Sequence, residues 1–224
     1  FRVSYPNGCK DANEVLVKHG KEGIKRLIGS AKRFPVIGVN GVSDLHEELI
    51  KLYNDGFSTV YLTGWDSIDK YYKARPGEMT IITGYTGHGK SEFLDALLIN
   101  LAQIHNWNFG VCSLENLPYV RHIRKLAEKV TGKSFFSNST ERMTKAELSS
   151  AESFLHKHFH FINPEKVEID SILEIGKALI FRYGINGLVI DPYNELDHRR
   201  QPGMTETEYI SQFLSKVRRF ARLN

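Results

Sequence analysis

The spacing of the hydrophobic residues changes along the chain. Within residues 1–35, Val15, Leu16, Ile24 and Leu27 recur at helical spacing among charged side chains, and Gly20 interrupts the pattern. This spacing predicts helix with a stop at Gly20. Residues 36–56 are typical of a connector with one short helix, for which Ser43 is the predicted N-cap and Gly56 the predicted C-cap.

From residue 57 onward, short apolar runs alternate with longer stretches of helical periodicity. Such alternation predicts an α/β fold, in which helices cover the faces of a mostly parallel sheet. The predicted strands are residues 79–83, 109–114, 158–162 and 187–190. The predicted helices are residues 91–105, 118–131, 144–157, 169–183 and 206–222.

The sequence GYTGHGKS, residues 84–91, lies between a predicted strand and a predicted helix and fits the phosphate-binding pattern G-x-x-x-x-G-K-[ST]. Its glycines let the backbone wrap an anion, so that N–H groups and a helix N-terminus point at it. Lys90 can then reach the β- and γ-phosphates, and the Ser91 hydroxyl can ligate Mg²⁺. The residues predicted to bind nucleotide are Gly84, Tyr85, Thr86, Gly87, His88, Gly89, Lys90, Ser91 and Glu92.

Two carboxylates follow predicted strands. Asp191 ends the run NGLVID, where an acid of a phosphate-binding-loop protein supports Mg²⁺ directly or through water. Glu115 follows the first strand after the loop helix, where it could orient or deprotonate an attacking water. The alternatives are that Asp191 caps a turn before Pro192 and that Glu115 is a surface loop residue.

Composition narrows the class of protein only slightly. The 224 residues are 41% hydrophobic and 25% charged, as in an ordinary globular protein, and the net charge of +4 permits a polyanionic partner without requiring one. Cys9 and Cys112 are far apart, which favours reduced thiols in a cytosol-like compartment. No apolar run approaches the ~20 residues of a membrane helix, so no membrane partner is expected.

A phosphate-binding loop alone leaves small-molecule kinases, GTPases and motor ATPases open. Three further stretches narrow the choice: the segment from GWDSIDKYYKARPGEM through the loop, CSLEN, and IDPYNELDHRRQPGMTETEY. Together they resemble the RecA-type motor domain of Twinkle-like or phage-type primase-helicases, within the class of DnaB-type ring helicases. The shorter stretch CKDANEVLVKHG resembles the closing segment of a Toprim primase domain.

The resemblance implies a RecA-like P-loop NTPase core preceded by a helical tail and linker. Residues 1–35 would be the Toprim-like tail, residues 36–56 the linker with its helix, and residues 57–224 a partial motor domain. The family's γ-phosphate sensor and arginine finger follow the last helix of this sequence. The core is therefore expected to be truncated at its C-terminus, with weak or no ATPase activity alone.

The function implied by the resemblance is an ATP-dependent replicative DNA helicase, which couples hydrolysis of ATP or another NTP to translocation on single-stranded or forked DNA. Lys90 and Ser91 would be the Walker A pair, Glu115 the catalytic glutamate and Asp191 the Walker B aspartate, with Ser91 and Asp191 holding Mg²⁺. The full-length protein would form a homo-oligomer, a hexameric ring, in the cytoplasm of a bacterial or phage-infected cell rather than in an organelle.

Two sequence features leave alternatives open. Arg199 and Arg200 follow the Asp191 strand, where ring helicases place a channel-facing loop, and could contact DNA phosphates or be solvated loop charges. The segment HKHFH, residues 156–160, is expected to lead into a strand with solvated histidines rather than to bind metal.

The competing functions are a RecA- or KaiC-like oligomerising ATPase switch and a P-loop small-molecule kinase.

Overall fold

The computed structural model describes residues 1–31, 39–56, 60–137, 141–196 and 203–224. The chain divides into two compact units, Phe1–Ser58 and Thr59–Asn224, and each is described by itself. Within the described residues, no helix combines the length and apolarity needed to cross a bilayer.

The first unit contains helices α1, Ala12–Gly29, and α2, His46–Asp55. The Asp11 side chain caps α1 by accepting a hydrogen bond from the Glu14 amide, in the first turn, at 2.8 Å. The backbone leaves helical geometry at Gly20, where φ is 64°, so the predicted stop at Gly20 is confirmed as a kink.

The start of α2 differs from its prediction, whereas its end agrees. Ser43 lies inside a 3₁₀ turn, Val42–Leu45, and Leu45 is the N-cap of α2, so the prediction for Ser43 is wrong. The turn forms because the Asp44 carboxylate accepts the Gly41 amide at 2.8 Å. Gly56 ends α2 as predicted, with its amide 2.9 Å from the Leu52 carbonyl oxygen.

The second unit is a parallel sheet flanked by helices, so the α/β prediction is confirmed and the arrangement is consistent with a RecA-like core. Three strands pair in the order β2-β1-β3. The strands are β1 Phe109–Ser113, β2 Phe159–Phe161 and β3 Gly187–Asp191. The helices are α3 Asp66–Asp69, α4 Lys90–His105, α5 Val120–Thr131, α6 Lys145–His158, α7 Ile169–Tyr183 and α8 Glu206–Leu223.

Helices cover both faces of the sheet because side chains of β1 alternate between two apolar clusters. One cluster joins Phe109 and Val111 to α4, α5 and α6. The other joins Cys112 to α7 and α8. Burial raises the pKa of the Cys112 thiol to about 11, and both Cys112 and the half-buried Cys9 are free thiols.

Residues 79–83 are not a strand, contrary to the prediction. Ile81 in the middle of this run is 59% exposed, and no strand in the described part of the chain pairs with it. The apolar run showed β-propensity, but a strand also needs a hydrogen-bonded neighbour. The described ladder on β3 runs only along the side that faces β1.

The HKHFH segment is also not a continuous strand. His156 and His158 belong to the end of α6, and only His160 lies in β2. His158 is buried, with its Nδ1 atom 2.8 Å from the Trp107 carbonyl oxygen, so the expectation of solvated histidines is wrong there. Among the described residues, no group of three metal-ligating side chains is gathered.

Candidate nucleotide site

The phosphate-binding loop forms a turn directly before α4. Gly87 and Gly89 have φ values of 80° and 78°, in the left-handed region that favours glycine. The Phe93 amide donates to the Gly89 carbonyl oxygen at 2.8 Å, which begins the hydrogen bonding of α4. The sequence thus places glycine where the turn requires it and a free helix N-terminus immediately afterward.

Lys90 and Ser91 are the first two residues of α4, and both are half-buried. The Lys90 ammonium donates a hydrogen bond to the Tyr85 carbonyl oxygen at 3.0 Å, so the lysine side chain lies along its own loop. A cation beside a turn of this kind favours an anion, because the positive end of the helix dipole acts in the same place.

The two predicted acids come from neighbouring strands. Asp191 is the last residue of β3 and pairs in register with Ser113, the last residue of β1. The Leu114 amide donates to the Asp191 carbonyl oxygen at 3.0 Å, which carries the pairing one residue further toward the exposed Glu115. The carboxyl ends of these parallel strands therefore bring Glu115 and Asp191 to one edge of the sheet.

Glu92, on the first turn of α4, is held by two lysines of α5. Its carboxylate accepts a hydrogen bond from Lys129, and its other oxygen lies 3.4 Å from the Lys125 nitrogen. The Lys129 hydrogen bond lowers the pKa of Glu92, with a further contribution from Lys125, against the opposing effect of burial. The predicted contact of Glu92 with nucleotide stays a prediction.

A buried pair joins the same two helices one turn deeper. Asp95 of α4 and His122 of α5 are both almost fully buried, and Asp95 Oδ1 lies 2.8 Å from His122 Nε2. The His122 Nδ1 atom has no hydrogen-bond partner among the described residues. The pair fixes the position of α4, whose first residues carry the loop, against α5.

Asn116, next to Glu115, connects the sheet edge that carries Glu115 and Asp191 with α5. Its amide nitrogen donates to the buried Ser113 hydroxyl at 2.8 Å, and its amide oxygen accepts from Lys125 at 3.3 Å. Sequence reasoning missed the Asn116 contacts because no motif includes them, and it missed the α4–α5 pairs because their residues are far apart in the chain. The only sequence signal of the α4–α5 pairs is the complementary spacing of acids at positions 92 and 95 and bases at positions 122, 125 and 129.

The structure thus brings the predicted residues together as two pairs. Lys90 and Ser91 lie together at the start of α4, and Glu115 and Asp191 lie at the sheet edge. Among the described residues, no hydrogen bond or ion pair joins one pair directly to the other. Arg199 and Arg200 lie outside the described residues.

Aromatic residues near the site have packing contacts. Trp65 stacks on Phe93 of α4, with ring centroids 5.5 Å apart. Tyr193, two residues after Asp191, meets Phe213 of α8 edge to face at 4.8 Å. These contacts give both rings a place in the hydrophobic packing.

Comparison with known proteins supports the resemblance drawn from the motifs. No protein-family model matches the chain. The chain is 44% identical over 237 residues to the Twinkle homolog protein, chloroplastic/mitochondrial, of Arabidopsis thaliana. The match covers 99% of this chain and 33% of that protein, so the chain spans a third of the length of this relative. The resemblance to Twinkle-like primase-helicases is confirmed, whereas the Toprim-like tail stays a prediction.

The expected location requires correction. A bacterial or phage-infected cytoplasm was predicted, but the relative is named for chloroplasts and mitochondria, which points to an organelle. The prediction was wrong because the cysteine count and the motifs describe chemistry and do not record the compartment.

Proposed function

We propose, on the premise that this is a Twinkle-like primase-helicase sequence, that the chain provides the motor of an ATP-dependent replicative DNA helicase. The motor would couple NTP hydrolysis to translocation on single-stranded or forked DNA. The observation that carries the proposal is the β1–β3 pairing, which sets Glu115 and Asp191 at the sheet edge where α/β folds bind ligands.

The residues present suit ATP and Mg²⁺. The Ser91 hydroxyl and the Asp191 carboxylate are hard oxygen ligands of the kind that Mg²⁺ prefers, and these two side chains would hold it. Among the described residues, no atom lies within 4 Å of a Cβ built at Gly87 or Gly89, so the loop surface is open to phosphate. Bound Mg²⁺ would neutralise charge on the phosphates.

Each protein group then has a distinct task. Lys90 would bind the terminal phosphates with its ammonium, once it leaves the Tyr85 carbonyl oxygen. Glu115 would accept a proton from the attacking water, or orient that water, because it is an exposed carboxylate at the mouth of the sheet. A small-molecule kinase has less use for such a base, since it must exclude water.

The partners and the domain division belong to the same proposal. Arg199 and Arg200 would contact the DNA backbone without reading its sequence. Residues 1–35 would be the Toprim-like tail, residues 36–56 the linker, and residues 57–224 would belong to the motor domain. A homo-oligomeric ring, hexameric in the full-length protein, would surround the strand.

The decisive variant is Glu115→Gln in the full-length protein. We expect nucleotide hydrolysis with single-stranded DNA to fall by at least about 100-fold, the usual contribution of a general base, with nucleotide affinity within about twofold of the parent. Glu165→Gln is the matched control, since Glu165 is an exposed glutamate that follows the neighbouring strand β2.

Two results would contradict the proposal. One is hydrolysis by Glu115→Gln at the parental rate, which would remove the water-activating role. The other is parental hydrolysis that does not respond to single-stranded DNA, which would favour an ATPase switch or a kinase over a helicase.

A further inference from the structure

We infer that Lys125 is a positioning residue that sets the phosphate-binding loop against the loop that carries Glu115. The inference rests on the proposed function. One ammonium group makes both connections: it lies 3.4 Å from Glu92 Oε1, and it donates to Asn116 Oδ1 at 3.3 Å. No motif of the sequence assigns a role to Lys125.

Each partner of Lys125 is the direct chain neighbour of a proposed site residue. Glu92 follows Ser91, and Asn116 follows Glu115. A shift of the ammonium would therefore be felt within one residue of the proposed Mg²⁺ ligand and within one residue of the proposed base. No other hydrogen bond or ion pair among the described residues connects these two loops so directly.

Asn116 transmits the position of Lys125 to the sheet edge. Its amide oxygen accepts from Lys125, while its amide nitrogen donates to the Ser113 hydroxyl at 2.8 Å. Ser113 is fully buried and pairs in register with Asp191. Asn116 is thus held from both ends of its amide, and the backbone turn at Glu115 is fixed between a buried strand end and α5.

The rest of α5 gives Lys125 a firm base. The buried Asp95–His122 pair fixes α5 to α4 one turn before Lys125, and Lys129, one turn after Lys125, pairs with Glu92. Lys125 lies between these two contacts on the same face of the helix. Its ammonium therefore has a defined position although 32% of the side chain is exposed.

The competing explanation is that Lys125 and Glu92 form an ordinary surface ion pair with no effect on catalysis. Exposed pairs of this kind contribute little to stability. Geometry at a reacting centre has a larger effect, because a displacement of about 1 Å can reduce a rate by about 100-fold. Lys129 separates the two explanations, since it shares the Glu92 contact and, unlike Lys125, does not bond to Asn116.

The test compares Lys125→Met with Lys129→Met in the full-length protein, by DNA-stimulated ATP hydrolysis. We expect Lys125→Met to lower kcat about tenfold, a partial loss of the positioning effect, with KM for ATP within about twofold. Lys129→Met should keep kcat within about twofold, and Lys125→Arg, which keeps a donor in place, should recover most of the loss. Equal losses in the two methionine variants, or parental kcat in Lys125→Met, would overturn the inference.

Asn116 supplies an independent arm if Lys125→Met fails to fold. Asn116→Ala should also lower kcat about tenfold, and the loss in the double variant with Lys125→Met should be clearly smaller than the two single losses combined, since both substitutions remove the Lys125–Asn116 hydrogen bond. Additive losses would show that the two residues act separately. Glu115→Gln in the same assay distinguishes the failures: if Glu115→Gln stops hydrolysis and Lys125→Met does not slow it, the proposed function stands and the positioning role falls.

Discussion

The two halves of the candidate site are held in place by different kinds of contact. The acid half, Asp191 and the turn at Glu115, is built on a backbone ladder between β1 and β3. The loop half follows residues 79–83, which lie outside that ladder, and is held against α5 mainly by the buried Asp95–His122 pair. The comparison teaches that the strand-end position of Asp191 depends on backbone pairing, whereas the position of the loop depends on a few named side chains.

The largest effect is expected from Asp95→Ala, which breaks the buried pair under the loop. Removing one member of a buried hydrogen-bonded pair leaves the other unsatisfied, and we expect a loss of about 3 kcal/mol in the free energy of unfolding. Urea denaturation of the chain measures it. Asp95→Asn, which keeps an oxygen acceptor facing His122, should lose clearly less, and equal losses would show that the pair does not hold α4.

Gly187→Val tests the β1–β3 ladder on which the acid half is built, by adding a bulky side chain at the first residue of β3. A Cβ at Gly187 would stand 2.8 Å from Cδ1 of the buried Phe109 ring, its partner across the β1–β3 ladder. Overpacking at this contact should cost about 2 kcal/mol in the same urea experiment. Gly29→Ala is the control, because no described atom lies within 4 Å of a Cβ there, and its midpoint should hardly change. An unchanged midpoint in Gly187→Val would mean that the ladder adjusts easily.

The smallest effect is expected from Glu92→Gln, which should change how the free energy of unfolding depends on pH. The lysines of α5 lower the pKa of folded Glu92, so its pairing stabilises the fold above the unfolded value of about 4.3 and is lost as the pH falls through the folded value. Since Glu92 is 54% exposed, the loss at pH 7 should be at most about 1 kcal/mol. The difference in unfolding free energy between parent and variant should shrink as the pH falls below ~4.3 and vanish once it passes the lowered folded pKa, and a constant difference would exclude the ion pair as its cause.

Much of this fold could be predicted because local patterns and tertiary contacts agree. The helix predicted over residues 169–183 is Ile169–Tyr183 in the structure, and α6 begins after Thr144, whose hydroxyl accepts the Glu147 amide in a capping box. The predictions for residues 79–83 and for His158 were wrong for different reasons. Residues 79–83 have no paired strand in the described part of the chain, and His158 is buried and hydrogen-bonded to the Trp107 carbonyl oxygen by tertiary contacts that a local sequence pattern does not show.

The candidate site also has a part that local sequence patterns predict and a part that they do not. The glycine turn and the strand-end position of Asp191 follow from short patterns, and the structure places them accordingly. The bridge from Glu92 through Lys125 to Asn116 spans three separate segments. Only the folded arrangement of α4, α5 and β1 could reveal it.

The buried thiol of Cys112 gives the acid half a natural reporter. Thiolate is the form that reacts with alkylating reagents, and a pKa of about 11 in a closed core keeps it scarce and inaccessible. Modification of Cys112 must therefore wait for the strand that leads to Glu115 to separate from its neighbours. The half-buried Cys9, in the other unit, provides an internal reference for the alkylation rate in the same sample, so the chain can report sheet opening without an introduced label.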